Sequence, residues 1–235
     1  KALPCSIASG NCQCVNHWNN ACLFIRFTSL VNYFFGGTWS GCILLCFRLP
    51  ITFLSSKNEN LPAIGGEKVQ LTVLGRYGAY PAAGGACSGY LLQDGDTNLL
   101  LDCGSGIVSR LQNFCSWTNL SAIVITHFHA DHYLDLYPLR YALQLSKFNK
   151  RKDKLLVLVP PGGDIELTRI FSNEESKKSF ADPFLFREIG SEEERIGSLQ
   201  LNFLQVNHPV PTYAVKVRNN NCQLVYTSDT SFHGQ

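Results

Sequence analysis

Three of the six histidines in the chain lie in one short segment, residues 127–132, with the sequence HFHADH. The apolar residues 123–125 (IVI) come directly before it and are typical of a buried strand. His127 and His129 alternate, so both side chains lie on one side of the chain while it stays extended. Imidazole nitrogens and a carboxylate are ligands that suit zinc and similar divalent ions. We therefore predict a metal site at the end of this strand, where α/β folds place their chemistry.

Two further polar residues follow predicted strands later in the chain. Residues 199–206 alternate between apolar and polar side chains, which predicts a half-buried strand, and His208 follows them beside two prolines. Residues 223–227 predict another strand, which leads to Asp229 within the sequence Ser-Asp-Thr. Taken alone, such a histidine carries little information. Both residues lie at a predicted strand end, as the histidine segment does.

The motif His-x-His-x-Asp-His after a hydrophobic strand resembles the signature of the metallo-β-lactamase-fold hydrolases, and the resemblance covers about residues 68 to 235. Residues 71–75 (LTVLG), residues 102–106 (DCGSG) and the dipeptide 131–132 look most like the ribonuclease Z-like and phosphodiesterase branch. The order of His208, Tyr-x-Val, a strand and Ser-Asp-Thr is also similar to the family pattern, whereas His233 matches no ligand position. The resemblance implies an α/β fold, a four-layer αββα sandwich, which we expect to be incomplete at the C-terminus.

The resemblance also implies a dinuclear centre of two divalent metal ions, expected to be zinc. Its ligands would be His127, His129 and His208 for the first ion, Asp131, His132 and a later histidine for the second, and Asp229 as the bridge. The later histidine should follow the Ser-Asp-Thr motif, so we expect that the chain is truncated and that its second metal site lacks one ligand. Such a chain would bind one ion tightly and the other weakly, with reduced turnover.

Two aspartates have further expected roles. Asp131 can hold the attacking water and transfer its proton as well as bind metal, so it is the predicted catalytic residue. In the family, the residue that matches Asp102 lies beneath the metal site and orients a ligand histidine, and we expect the same role here. The alternatives for Asp102 are a direct metal ligand and a carboxylate that caps a helix or turn.

The expected activity is hydrolysis by a metal-activated water, on a phosphodiester in an RNA end or a cyclic nucleotide. His129 favours zinc hydrolysis over redox chemistry, because the oxygen-reducing di-iron relatives resemble one another in carrying Glu there. Two alternatives stay open, a hydrolase of small esters or thioesters and a metal-binding domain without turnover. Processing of transfer RNA is only one option, since no glycine-rich arm that would hold this substrate is evident.

Composition narrows the expected partners and location. The net charge of +2 predicts no strong general attraction to nucleic acid or membranes. Residues 147–154 (KFNKRKDK) are strongly basic and either contact phosphates or form a solvated helix end, so nucleic acid stays a candidate partner. Cysteines scattered singly after residue 66 favour a reduced, cytoplasmic compartment. A dimer is one expectation for the oligomeric state.

Residues 1–66 differ from the rest of the chain, because they hold six of the ten cysteines and almost no charge. We interpret residues 1–66 as a leader and linker without function, and residues 67–235 as the partial domain. The alternative for the leader is weak membrane association. Stable membrane insertion is not expected, because no uninterrupted apolar run reaches the ~20 residues that span a bilayer. The absence of methionine predicts a fragment or a processed product.

The predicted elements alternate between strands and helices, which favours an α/β layered fold. Besides those named above, strands are predicted at residues 69–74, 90–93, 99–102, 155–159 and 213–217, and helices at residues 107–114, 134–145 and 165–171. The glycine-rich loop 75–87 lacks the spacing of a dinucleotide fingerprint. In the resembling family, this loop borders the active site.

Overall fold

The computed structural model of the protein describes residues 21–26, 41–47, 52–53, 69–146 and 151–231, the first three as backbone strands only. His233 and residues 147–150 of the basic stretch lie outside the described residues. The described chain forms two β-sheets, with helices on one side of the larger one. The predicted α/β class is therefore confirmed.

The larger sheet has seven strands and positions the segment that carries the three histidines. In spatial order its strands are β3 (Thr52–Phe53), β4 (Gln70–Gly75), β5 (Gly89–Asp94), β6 (Thr97–Leu101), β7 (Ala122–Val124), β8 (Leu155–Val159) and β9 (Phe184–Glu188). Strands β4 to β6 pair antiparallel, and β6 to β9 pair parallel. Because β7 lies between two parallel neighbours, all its side chains are buried, as its apolar sequence predicts.

The smaller sheet has six strands and is antiparallel throughout. In spatial order its strands are β1 (Ala21–Arg26), β2 (Gly41–Phe47), β13 (Gln223–Asp229), β12 (Thr212–Arg218), β11 (Leu199–Val206) and β10 (Glu194–Ile196). The backbone of β2 pairs with β13, and that of β3 pairs with β4. The interpretation of residues 1–66 as a leader without function, and the boundary at residue 67, stay predictions.

The helices and the two sheets form three layers. The helices are α1 (Ile107–Leu111), α2 (Ala130–Tyr133), α3 (Leu136–Leu145), α4 (Gly163–Thr168) and α5 (Glu174–Ala181), with a 3-10 turn at Trp117–Asn119. All five contribute side chains to one apolar cluster on the outer face of the larger sheet. The inner face of that sheet packs on the smaller sheet, where Leu101 and Val124 join Leu201 and Val215 in a second cluster. The described residues thus form three of the four expected layers.

Three helices differ from their predicted bounds. The helix predicted over residues 134–145 begins two residues later, as α3, with Pro138 in its first turn, where proline is tolerated. The short helix α2 before it was not predicted, and the helix predicted over residues 165–171 lies at Gly163–Thr168. The helix predicted to reach residue 114 ends at Leu111. No helix of the described residues is long and apolar enough to span a membrane.

Candidate metal centre

The histidine segment that follows β7 has an extended part and then a helical turn. After β7 the chain stays extended through His127 to His129, whose φ of −84° and ψ of 139° precede the first turn of α2. The turn of α2 then carries Asp131 and His132 to the same side. An extended segment followed at once by a helical turn therefore brings four polar side chains together from six residues.

Four of the predicted ligands form one compact group. His127, His129, His208 and Asp229 offer ligand atoms that all lie within 4.8 Å of one another. Nδ1 of His129 lies 3.1 Å from Nε2 of His127 and 3.0 Å from Nε2 of His208. His208 follows β11 and Asp229 ends β13, so the smaller sheet supplies two members of the group and the larger sheet the other two.

A second group lies beside Asp229. Nε2 of His132 is 3.7 Å from Oδ2 of Asp131 and 3.6 Å from Oδ1 of Asp229. His132 is 1% exposed and Asp131 is 8% exposed, so both are held in place by the surrounding chain. Asp229 faces both groups, and the structure brings together all six residues that the sequence singled out as ligands.

Asp102 lies beneath His132 and is completely buried. Its Oδ2 is 2.7 Å from Nδ1 of His132 and accepts a hydrogen bond of 2.7 Å from the hydroxyl of Tyr226. Its Oδ1 accepts from the backbone N–H of Thr126 at 2.8 Å. Asp102 adopts a φ of 60° in the left-handed region. A carboxylate at this place fixes the ring orientation of His132 and leaves Nε2 directed toward Asp131 and Asp229.

Thr126 and Ser228 support His127, and neither was predicted from the sequence. The hydroxyls of Thr126 and Ser228 are 2.6 Å apart, and that of Thr126 is 3.2 Å from Nδ1 of His127. Ser228 has a φ of 56° and lies where the pairing of β13 with β2 is irregular, between Tyr226 and Asp229. The only available signal was position, since each hydroxyl residue directly precedes a predicted ligand.

The glycine-rich loop 75–87 holds Asp131 from the solvent side. The backbone N–H of Ala79 donates a hydrogen bond of 2.7 Å to Oδ2 of Asp131, and Ala79 adopts a φ of 48°. From the opposite side, the N–H of Ser88 donates to the carbonyl of Asp131 at 3.1 Å. A Cβ at Gly104 would lie 1.8 Å from that same carbonyl oxygen, so only glycine fits there. The expected position of the loop beside the site is confirmed.

Burial and mutual contacts shift the pKa values of the site. Burial, followed by the charge of His132, lowers the pKa of His127 to about 2, and burial also lowers that of His208. Burial acts in the same direction on His132, but Asp102 and Asp229 outweigh it and raise its pKa to about 10. Burial opposes the ionisation of Asp229, yet its contacts with His132 and the nearby histidines lower its pKa to about 2.

The donor set fits divalent cations. Near neutral pH, His127 and His208 offer uncharged nitrogens and Asp229 offers an ionised carboxylate, which are the forms that bind metal. Among residues 69–146 and 151–231, neither Asp131 nor Asp229 forms an ion pair with lysine or arginine, and only His132 balances their charge. Cations bound between the two groups would supply the missing positive charge.

The known sequences that are similar to this chain include a metallo-hydrolase and a ribonuclease Z. A profile of the family described as "Anti-Pycsar protein Apyc1" matches residues 69–235. The "Probable metallo-hydrolase YhfI" of Bacillus subtilis is 34% identical over 165 residues, which is 70% of this chain and 65% of that protein. The "Ribonuclease Z" of Natronomonas pharaonis is 34% identical over 112 residues, 48% of this chain and 35% of that protein. The chain thus spans less than two thirds of the length of these relatives.

Solved structures agree with these relatives. The crystal structure of the metallo-β-lactamase fold protein YhfI from Bacillus subtilis gives a TM-score of 0.59 at 32% identity, over 69% of this chain and 63% of that one. Human tRNase Z, short form, gives a TM-score of 0.52 at 20% identity, over 65% of this chain and 66% of that one, and shows a likeness of fold.

Proposed function

Because the chain belongs to the family described as Anti-Pycsar protein Apyc1, within the ribonuclease Z-like branch of the metallo-β-lactamase-fold proteins, we propose that it is a metal-dependent hydrolase. The observation that carries the proposal is that Asp229 is close to ligand atoms of both groups, as expected of a bridging ligand. We propose two divalent ions, zinc by the nature of the donors, because imidazole nitrogens are the larger part of the set.

The residues divide between the two ions according to their distances. His127, His129 and His208 would hold the first ion, Asp131 and His132 would take part in holding the second, and Asp229 would contact both. Divalent ions in such a pair lower the pKa of a bound water toward neutrality and stabilise negative charge on a phosphoryl group.

The side chains of the site position the water, accept its proton and fix the ligands. Asp131 holds the attacking water in line and accepts its proton, and the N–H of Ala79 keeps the carboxylate of Asp131 in one orientation. Asp102 keeps the ring of His132 fixed from below, so the second group does not reorganise during the reaction. Among the described residues, His127 and His132 are almost completely buried, whereas His129, His208 and Asp229 are partly exposed, so water would reach the site from their side.

A phosphodiester is the proposed substrate class, in an RNA end or a cyclic nucleotide. Ribonuclease Z relatives support it, together with a paired site that is suited to in-line displacement at phosphorus. Nucleic acid is accordingly a proposed partner. A cytoplasmic location belongs to the same proposal, supported by the free thiols of Cys87, Cys103, Cys115 and Cys222.

A phosphodiesterase assay with metal analysis tests the proposal. The full chain loaded with zinc is given bis(p-nitrophenyl) phosphate and, separately, p-nitrophenyl acetate. We expect phosphodiester turnover and bound zinc, both lost in His127→Ala and both kept in His17→Ala, a histidine with no proposed role. Ester turnover alone would favour a hydrolase of small esters or thioesters. Bound metal without any turnover would leave a metal-binding domain and overturn the proposal.

A further inference from the structure

Two buried nitrogen donors without a hydrogen-bond partner lie on neighbouring elements, away from the metal centre. They are Nε of Arg140 in α3 and Nε1 of Trp117 in the 3-10 turn, and within the described chain neither has a partner. The helix α3 contacts this turn. Buried polar groups nearly always have a partner, because an unpaired one costs about 1 to 3 kcal/mol. Two such donors on contacting elements therefore indicate where a bound acceptor is to be sought.

Arg140 requires a partner more strongly than Trp117 does, because its side chain is charged. It lies on the buried face of α3 with Leu136, Leu139 and Leu143, and it is only 7% exposed. Among the described residues, no aspartate or glutamate forms an ion pair with Arg140. Arginine is always protonated in proteins and is almost never buried without a counter-ion. The missing counter-ion is therefore expected to come from a bound anion.

The guanidinium of Arg140 is also held ready to bind. Its Cζ lies 3.8 Å from the centre of the Tyr141 ring. Stacking of this kind occupies one face of the guanidinium and leaves the N–H groups at its edge free to donate. A fork of parallel N–H donors matches two oxygens of a phosphate group better than it matches a single carbonyl.

The surroundings of the 3-10 turn carry positive charge. Nη1 of Arg151 donates hydrogen bonds to the carbonyls of Thr118 at 3.0 Å and of Leu120 at 2.6 Å, and so fixes this arginine beside the turn. Lys152 and Lys154 follow and are exposed, and Asp153 is the acidic residue among them. An excess of positive charge around two unpaired donors attracts anions to this place.

This place is separate from the metal centre. The 3-10 turn precedes β7, whereas His127 follows it, so the two sites lie at opposite ends of one strand. Because β7 separates the turn from the histidine segment, and Arg140, Trp117 and Arg151 are not among the candidate ligands, we treat an anion at the turn as distinct from the group that reacts at the metal centre.

We propose that the junction of α3 with the 3-10 turn binds a phosphate group through Arg140 and Trp117, with Arg151 beside them. The phosphate comes either from a free phosphate anion or from the backbone of a nucleic acid strand, since both present the same oxygens. Arg140 supplies two parallel donors and the charge, and the indole N–H of Trp117 supplies a third donor. The inference stands without the proposed hydrolysis, because none of its residues belongs to the metal centre.

Nuclear magnetic resonance of the tryptophan indole groups tests this site directly. The chain has three tryptophans, so the full chain should show three indole N–H signals, and Trp117→Phe identifies the one of interest. Inorganic phosphate is titrated against sodium chloride at equal ionic strength. We expect the Trp117 signal to shift and saturate with phosphate only, and the shift to be lost in Arg140→Met. A phosphorothioate oligonucleotide, which resists hydrolysis, distinguishes a strand from the free anion by the concentration at half-saturation.

The controls separate binding from general effects of charge and folding. Arg169→Met removes an arginine that is exposed and paired with Glu166, and it should keep the phosphate shift. Unmoved backbone amide signals of strands β4 to β8 would show that Arg140→Met is folded. Arg140→Lys, which keeps the charge but loses the fork, should saturate only at higher phosphate. An equal shift with chloride, or an unchanged shift in Arg140→Met, would overturn the proposal. A shift that follows protein concentration instead would assign the donors to contact between copies and would also overturn it.

Discussion

Nδ1 of His132 lies 2.7 Å from Oδ2 of Asp102, in a place that solvent does not reach. Asp102 also accepts hydrogen bonds from the N–H and the hydroxyl of Thr126 and from the hydroxyl of Tyr226. Four donors therefore surround one carboxylate that has no direct part in the compact ligand group. Its contribution reaches the metal centre through the orientation of His132.

Asp102→Asn tests this contribution. The amide keeps the shape but directs an NH₂ group at donors, so buried groups lose their acceptor. We expect the free energy of unfolding in urea to fall by about 2 to 3 kcal/mol, and zinc affinity to fall about 10- to 100-fold. Asp96→Asn, at an exposed turn, is the matched control and should change neither quantity. Unchanged zinc affinity in Asp102→Asn would assign Asp102 a role in stability alone.

Ala79 offers a second test, because two substitutions separate its N–H from its backbone angle. Ala79→Pro removes the N–H that Asp131 accepts and cannot adopt a φ of 48°, so we expect turnover of bis(p-nitrophenyl) phosphate to fall at least tenfold. Ala79→Gly keeps the N–H and adopts positive φ without strain, so activity should be retained and stability should stay within about 1 kcal/mol. Equal activity of the two variants would show that the loop does not position Asp131.

Gly104 limits how the segment after β6 packs on α2. In Gly104→Ala the new methyl group would meet the carbonyl oxygen of Asp131 at 1.8 Å, so either Asp131 or the segment must move. We expect a loss of roughly 3 kcal/mol in the free energy of unfolding, together with weaker zinc binding. Gly95→Ala is the comparison, since its Cβ would meet open space and only the φ of 55° opposes it. A loss in Gly104→Ala no larger than in Gly95→Ala would contradict the close approach.

The metal-free protein should depend on pH through His132. Its pKa is raised to about 10 in the folded chain, above the ordinary value of 6.5, so its protonation stabilises the fold fully below about pH 6.5. This contribution is lost as the pH rises from about 6.5 through about 10. Urea unfolding of chelator-treated protein should therefore show decreasing stability between pH 7 and pH 10, and His132→Gln should show a flatter dependence. If stability falls equally steeply with pH in both proteins, the pKa of His132 is not raised in the folded chain.

Prediction from sequence succeeded where a pattern is local or a likeness was available. Strands β8 and β11 have the predicted bounds, because a short apolar run and strict alternation are both strong local signals. The metallo-β-lactamase fold and its ribonuclease Z-like branch, inferred from the histidine motif and a few short segments, are confirmed. The meeting of His208 and Asp229 with the histidine segment came from the resemblance, since spacing along a chain does not determine which strand ends meet.

Other elements and contacts have no pattern in the sequence from which they could be predicted. The helix α5 and the strands β9 and β10 were missed in the charged region, because each buries only one residue and shows no clear apolar period. The hydrogen bond between Thr126 and Ser228 joins two hydroxyls that are far apart in sequence, so it depends on the packing of the two sheets. Arg140 occupies a position where helical periodicity predicts an apolar side chain, and only the structure shows that it is buried.

Within the described chain, Ala79, Asp102 and Ser228 are the three residues other than glycine with positive φ. Each contacts or adjoins a different candidate ligand, namely Asp131, His132 and Asp229. Conformations of this kind cost of order 1 kcal/mol each, and they persist only where the surroundings enforce them. The backbone is therefore least relaxed where the ligands converge, so metal binding and folding are coupled energetically. A bound ion would stabilise these three strained backbone conformations through the ligands beside them. Removal of the ion should therefore increase the mobility of these residues before the sheets that carry them unfold.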